Sequence, residues 1–326
     1  MDNVDELLNE VYFNAGCIKQ AGYVLISSKL DQLNYEDQFT RIFLYKNDTW
    51  GKKDINGWDA VSVCYSKELD ALCVLSKEGD ILIGKSNEFL REKINDAGVR
   101  SGIHGYVSHI REIGKTLFVC GQSGQIYKRE SSGWVHFDLG VLVPMAVELG
   151  TSAFLDSPIL NCVDGFNDSD LYVVGDSGAI YHFNGEMWKK ILVNCKEHLQ
   201  WVRCYKDNEV WICGYNGTVL KGNMQDGFVD VSSVDDNRTF WSLVKFKENI
   251  YLSTIDHLYI YSGQGISIVE TKLEPELLTY CLDACDDELW SFGSKDIARF
   301  DGTTWERIHH PDNPPIGGSS IKGGKP

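Results

Sequence analysis

Three stretches of the chain repeat one phrase: Gly121-Gln-Ser-Gly-Gln-Ile-Tyr-Lys, Gly175-Asp-Ser-Gly-Ala-Ile-Tyr-His and Gly214-Tyr-Asn-Gly-Thr-Val-Leu-Lys. Each follows an apolar run (Leu117-Phe-Val-Cys, Leu171-Tyr-Val-Val, Val210-Trp-Ile-Cys) and leads into another. Weaker copies start at Ser76, Ser253 and Gly293; 39 residues separate Gly175 from Gly214, 39 more reach Ser253 and 40 more reach Gly293. A fixed internal period constrains the fold more than any single motif, because each repeat must be one supersecondary unit that buries its apolar faces against its neighbours.

The clearest unit runs from Ile159 to Val193: strand, Asn167-Asp-Ser-Asp turn, strand, Gly175–Gly178 turn, strand, Asn184-Gly turn, strand. Alternation at period two marks the strands, and Asn-Gly is a strong hairpin signal. Trp188 in the last strand recurs as Trp50, Trp134 and Trp305. Seven such units fit the chain, over 11–55, 58–95, 105–139, 159–194, 199–234, 239–272 and 277–309. Four strands per ~40–45 residues, repeated, predict an all-β fold, a seven-bladed β-propeller of four-stranded antiparallel blades. Two β-sandwiches would leave the period unexplained.

The phrases and the Asp/Asn-Gly-x-x-Trp endings resemble those of bacterial propellers in the extended group that holds WD40-like proteins and photosystem II assembly factors. The resemblance implies the fold and leaves function to particular sites. It lacks the Gly-His…Trp-Asp pair, the paired glycines of kelch repeats and the sialidase box, which Phe300-Asp-Gly-Thr-Thr-Trp305 approaches without matching.

Outside the period, Asp2 is placed to cap a short N-terminal helix over 1–10, with Val4, Leu7, Leu8 and Val11 on one side. A flexible tail is expected over 310–326, rich in Pro and Gly, with His309 and His310 as a solvated end.

Chemistry-bearing motifs are weak. Cys281 and Cys285 lie on one side of a strand with no second ligand pair at zinc spacing. Asp164-Gly-Phe-Asn-Asp168-Ser-Asp170 has its glycine in the wrong place for a calcium loop and reads as a polar turn. The Gly-x-x-Gly phrases stand between strands instead of opening a helix, as a phosphate cradle requires. No nucleophile elbow stands out. A non-enzymatic protein is therefore expected, with no catalytic residue, cofactor or metal.

The 47 acidic and 31 basic residues give a net charge of −16. That sign repels nucleic acid and anionic membranes and draws basic partners. The N-terminus lacks a basic region followed by an apolar run, and no apolar stretch approaches the roughly 20 residues of a membrane span. A cytoplasmic monomer with its ten cysteines reduced is expected.

In a propeller, the loops leading into each first strand share a face with the turns between second and third strands. In this chain they carry aromatic residues, Trp58, Tyr106, Trp201, Phe240, Trp241 and Tyr280, among acids that include Asp59, Asp96, Asp156, Asp176, Asp235, Asp236, Glu274 and Glu276. Aromatic anchors inside an acidic rim suit a basic protein partner; rings packed between the blades beside the channel are the alternative for each residue. The 140–158 insertion adds Val143 and Met145 in a segment more apolar than an exposed loop requires, so it either folds over the propeller or is the partner-binding element. Acidity, diverged repeats and the lack of a catalytic set resemble, in type, a bacterial immunity protein that neutralises a toxin or secreted effector. An assembly factor, and a carbohydrate-binding or hydrolytic propeller using Trp58, Trp201 and Trp241 as platforms, are the alternatives.

Overall fold

The computed structural model describes residues 10–34, 36–85, 88–102, 104–142, 158–206, 208–232 and 237–317. Among them, 28 strands form seven four-stranded sheets, each taken from one contiguous stretch of chain in sequential order. The blades span 11–56, 60–93, 107–136, 160–190, 199–230, 242–268 and 281–307, close to the seven units expected. The first strand of each blade lies innermost. Adjacent inner strands pack around the ring, from Val11–Gln20 and Ala60–Ser66 to Ser242–Phe246 and Cys281–Ala284, and the last returns to the first.

Burial grades outward within each blade. Ala71–Ser76, the second strand of blade 2, is buried at every residue, whereas its fourth strand, Glu88–Lys93, is almost wholly exposed. A middle strand is covered by a neighbouring blade on each face, so it reads as a continuous apolar run instead of an alternating one. The core is accordingly divided into seven apolar layers, one between each pair of neighbours. Each large side chain buried in them contributes roughly 1.5–3 kcal/mol. All ten cysteines are free and seven are buried; Cys281 and Cys285 both belong to the layer between blades 7 and 1.

The repeated phrase is a device for joining blades. In the Gly175–Gly178 turn the Asp176 N–H donates to Ile159 O (2.9 Å), in the segment leading into the same blade. The Gly178 N–H donates to Glu197 O (2.8 Å), in the segment leading into the next. Gly175 is required because a Cβ there would collide with the Ile159 carbonyl, and Gly178 because its φ is +70°. The same pair of bonds recurs from Gln122 and Gly124 to Tyr106 and Pro158, and from Tyr215 and Gly217 to His198 and Arg238.

Among the described residues, ring closure uses no exchanged strand. The Phe13 N–H donates to Ser294 O (2.8 Å), the Ile18 N–H to Asp283 (3.0 Å) and the Gly22 N–H to Glu288 (2.8 Å). The chain end adds a latch. Asn313 accepts from the Val11 N–H (2.9 Å) and donates to the Val11 carbonyl (3.1 Å), and Asp312 pairs with Arg41 (3.2 Å). His310 is buried at 6% exposure against Phe13, Phe43 and Trp50. The solvated end expected at this histidine is corrected: its ring packs edge-on against three aromatic rings of the layer between blades 7 and 1. Only 318–326 of the tail lie outside the described residues.

The helix expected over 1–10 falls, apart from Glu10, outside the described residues, among which three short 3-10 turns are the only helical elements. The polar turn expected over Asp164–Asp170 is present but shorter, at Asp168 and Ser169, and its start is corrected. Asp164 sits within the inner strand Leu160–Asn167, buried, where it pairs with Arg111 (3.3 Å) and accepts the Cys204 N–H (2.9 Å).

Candidate functional site

The inner strands enclose a central channel of about 1280 Å³ to which all seven blades contribute. Its wall carries seven basic residues (Lys19, Lys67, Arg111, Arg203, Lys206, Lys245, Lys247) and five acidic ones (Glu112, Glu248, Asp283, Asp286, Asp287). A chain of net charge −16 therefore keeps its acidic excess outside the channel. Asp283 is already engaged by the Ile18 N–H. His109, at the wall, is held well below the usual histidine range by burial and then by Arg203 and Arg111.

At one mouth, aromatic rings from blades 5, 6 and 7 form an arc. His198 meets Tyr215 (centroids 5.1 Å), Tyr215 meets Trp241 (5.9 Å) and Trp241 meets Tyr280 (5.4 Å). His198, Trp241 and Tyr280 come from segments leading into inner strands, and Tyr215 from the repeated turn; the backbone bonds that staple those segments to the turns also bring the rings together. Tyr280 is 37% exposed, and Trp241 and Tyr215 are half-buried, so each keeps a face to solvent while its position is fixed by neighbours. Such ordered aromatic area binds with little loss of side-chain freedom. Trp201 lies deeper on the channel wall, between His109 (5.0 Å) and the Arg203 guanidinium (4.5 Å), with its buried Nε1 unpartnered among the described residues. Beside the arc, Asp176 accepts from Asn161 (2.9 Å) and approaches His198 Nδ1 (3.1 Å), and Glu197 accepts from Asn216 (2.7 Å).

The chain is similar over nearly its whole length to an immunity protein. That relative is the immune protein Tsi7 of Pseudomonas aeruginosa, 26% identical over 310 residues, which cover 92% of this chain and 98% of Tsi7. No family model matches. The fold is shared with the WD40 β-propeller domain of Doa1 (TM-score 0.64, 11% identity, 90% of this chain and 95% of that one). It is shared also with YCF48 solved with a D1 peptide (TM-score 0.62, 12% identity, 88% and 92%). These likenesses agree with the propeller group that the repeated phrases resemble.

Of the residues singled out in the sequence, the structure brings Trp201, Trp241 and Tyr280 to the channel and puts Asp176 beside the arc. It separates others from it. Trp58 is a core residue at 7% exposure between blades 1 and 2, and Phe240 at 1% belongs to the layer between blades 5 and 6. A surface role for Trp58 is corrected, because its ring packs into the apolar layer between those blades with the Arg91 guanidinium over it (5.4 Å). Asp59 is tied to Lys29 (3.2 Å) and Lys77 (2.6 Å), and Tyr106 is half-buried under Lys77. Glu274 is exposed, with its carbonyl held by Arg307 (3.1 Å). Val143, Met145, Asp156, Asp235 and Asp236 lie outside the described residues. Sequence reasoning missed His198 and Tyr215. The signal was available for Tyr215, which fills the variable position after the first glycine of the phrase, where Asp176 and Gln122 stand in the other copies.

Proposed function

We propose that this chain is an immunity-type protein that binds a cognate protein toxin or secreted effector in the cytoplasm and holds it inactive, without catalysis of its own. The observation that carries this reading is the end-to-end similarity to an immunity protein. The partner would dock on the arc formed by His198, Tyr215, Trp241 and Tyr280, with Asp176, Glu197 and the exposed Glu274 on the rim. Because the channel wall is not acidic, a basic partner would be drawn to the rim instead of threading the pore. An assembly role remains the second reading, favoured by the fold shared with a propeller solved with a peptide.

The test is copurification with the product of the reading frame adjacent to this gene, followed by binding kinetics of the pure protein. A stoichiometric complex burying about 1,600 Å² is expected, with an association rate that falls steeply with salt. Trp241→Ala and Tyr280→Ala should each weaken it by about 2 kcal/mol, roughly 30-fold. Unchanged affinity in both variants would remove the arc from the interface. A neighbouring product whose activity is untouched by the bound propeller would remove the immunity reading.

A further inference from the structure

Away from the arc, three ligand-type side chains converge at the junction of blades 2 and 3. Asp96 and His104 lie on the segment between the blades, and His136 ends the outer strand Gly133–His136 of blade 3. One donor atom from each lies within 4.8 Å of the others. Both imidazoles turn Nε2 toward the same Asp96 oxygen: His104 stands 3.9 Å from it and His136 is in direct contact. The two rings are 5.5 Å apart and nearly perpendicular. Tetrahedral zinc with ligands at 2.0–2.2 Å separates its donor atoms by about 3.3 Å, so a small cation fits between these three with minor side-chain adjustment.

The surrounding structure is built to hold them. The 94–106 segment folds back on itself, with the Gly98 N–H donating to Gly105 O (2.7 Å) and the Ser101 hydroxyl to Asp96 O (2.8 Å). Gly98 and Gly105 have φ of +83° and +109°, so this closure depends on both glycines. The Arg100 N–H donates to the Glu78 carboxylate (3.1 Å), which fixes the segment to blade 2. His136 Nδ1 is held at 2.8 Å by Asp138, a buried carboxylate that also accepts the Ile126 N–H (3.1 Å). A carboxylate behind the far nitrogen is the arrangement that fixes the tautomer and orientation of a ligating histidine.

His104 supplies a second, independent sign. Its ring is 5% exposed, and its Nε2 is aimed at the Asp96 carboxylate from beyond hydrogen-bond reach. A buried imidazole that faces a carboxylate across a gap too long for a hydrogen bond leaves room for a cation between the two.

We propose that Asp96, His104 and His136 form a mononuclear zinc site, with Asp138 positioning His136 and a fourth position open to solvent. Two imidazoles and one carboxylate select zinc over magnesium or calcium, which take oxygen ligands. Asp96 and His136, about one third exposed, leave the fourth position to water or to a donor from a bound protein. The metal would tie the segment between the blades to the outer edge of blade 3, and the site stands whether or not the immunity reading does.

The full chain, stripped with EDTA and dialysed, is given one equivalent of Zn²⁺, desalted, and assayed for zinc. In parallel, Co²⁺ is added and its visible d–d absorption recorded. About one zinc per chain, a tetrahedral cobalt spectrum and a zinc-dependent rise in Tm are expected. Asp96→Asn and His104→Gln should abolish retention, Asp138→Asn should weaken it roughly 10–100-fold, and exposed His309→Gln should leave it unchanged. The wild-type readouts need no variant to fold. Less than a tenth of an equivalent retained by the wild-type chain, or equal retention in Asp96→Asn and His104→Gln, overturns the site. The cluster would then be a His136 imidazolium clamped between Asp96 and Asp138.

Discussion

His310 makes the stability of the closed ring depend on pH. Its ring is buried among Phe13, Phe43 and Trp50, and its Nδ1 accepts the Asp312 N–H (3.1 Å), which fixes the neutral form. Burial pushes its pKa down to about 4; Lys52 and Arg41 act in the same sense, and Asp312 opposes them. In the unfolded chain the same histidine titrates near 6.5. Below that value the unfolded state binds a proton that the folded state refuses, so stability falls as pH falls. The stabilisation is fully present above about pH 6.5 and is lost progressively down to about pH 4. At about 1.36 kcal/mol per pH step, the loss reaches about 3 kcal/mol. Urea unfolding of the wild type and of His310→Phe between pH 7.5 and 4.5 isolates this contribution, because carboxylates titrate in both proteins. Phenylalanine keeps the ring packing and cannot titrate. The gap between the two stability curves should close, and can reverse, by about 3 kcal/mol as the pH falls. Parallel curves would refute the reasoning and mean that the latch opens freely or that the ring is solvated.

Other outcomes follow from the same geometry. Asn313→Ala removes both bonds to the Val11 backbone at about 1 kcal/mol each, and amide exchange in Val11–Gln20 should accelerate about 30-fold; unchanged exchange would show that the latch does not close the ring. Gly175→Ala drives a Cβ into the Ile159 carbonyl and should cost about 2–4 kcal/mol. Gly51→Ala, where a Cβ meets nothing within 4 Å, should stay within about 0.5 kcal/mol in the same thermal melts. Trp58→Ala should cost about 3–5 kcal/mol of stability and leave partner affinity unchanged once folded, the reverse of Trp241→Ala; a binding defect in folded Trp58→Ala would return that residue to the interface.

The seven blades were legible because their signals are local. A strand covered on both faces must be a run such as Leu171-Tyr-Val-Val, and a turn packed against a carbonyl must have glycine at Gly175. The first requirement recurs with each blade and the second in blades 3, 4, 5 and 7, and together they appear as period. Trp58 was misread because an aromatic residue ahead of an inner strand looks the same whether its ring turns outward or into the layer behind it. His310 was misread because neighbouring prolines and glycines signal a loop and carry no information about what the loop covers. Asp164 was placed in a turn because the inner strand of blade 4 runs on through a polar stretch, where Arg111 from blade 3 neutralises the acid.

By itself, the sequence determined the ring: number of blades, strand order and the face on which the stapling turns stand. Each of these follows from backbone conformation and burial over a few residues. Only the tertiary structure decided which side chains meet. His198, Tyr215, Trp241 and Tyr280 come from three blades, and Asp96 and His136 lie on either side of a whole sheet. The chain end reaches Val11 from 302 residues away. Closing the ring brings these groups together through packing between blades, and no local pattern records which residues of distant blades will face one another.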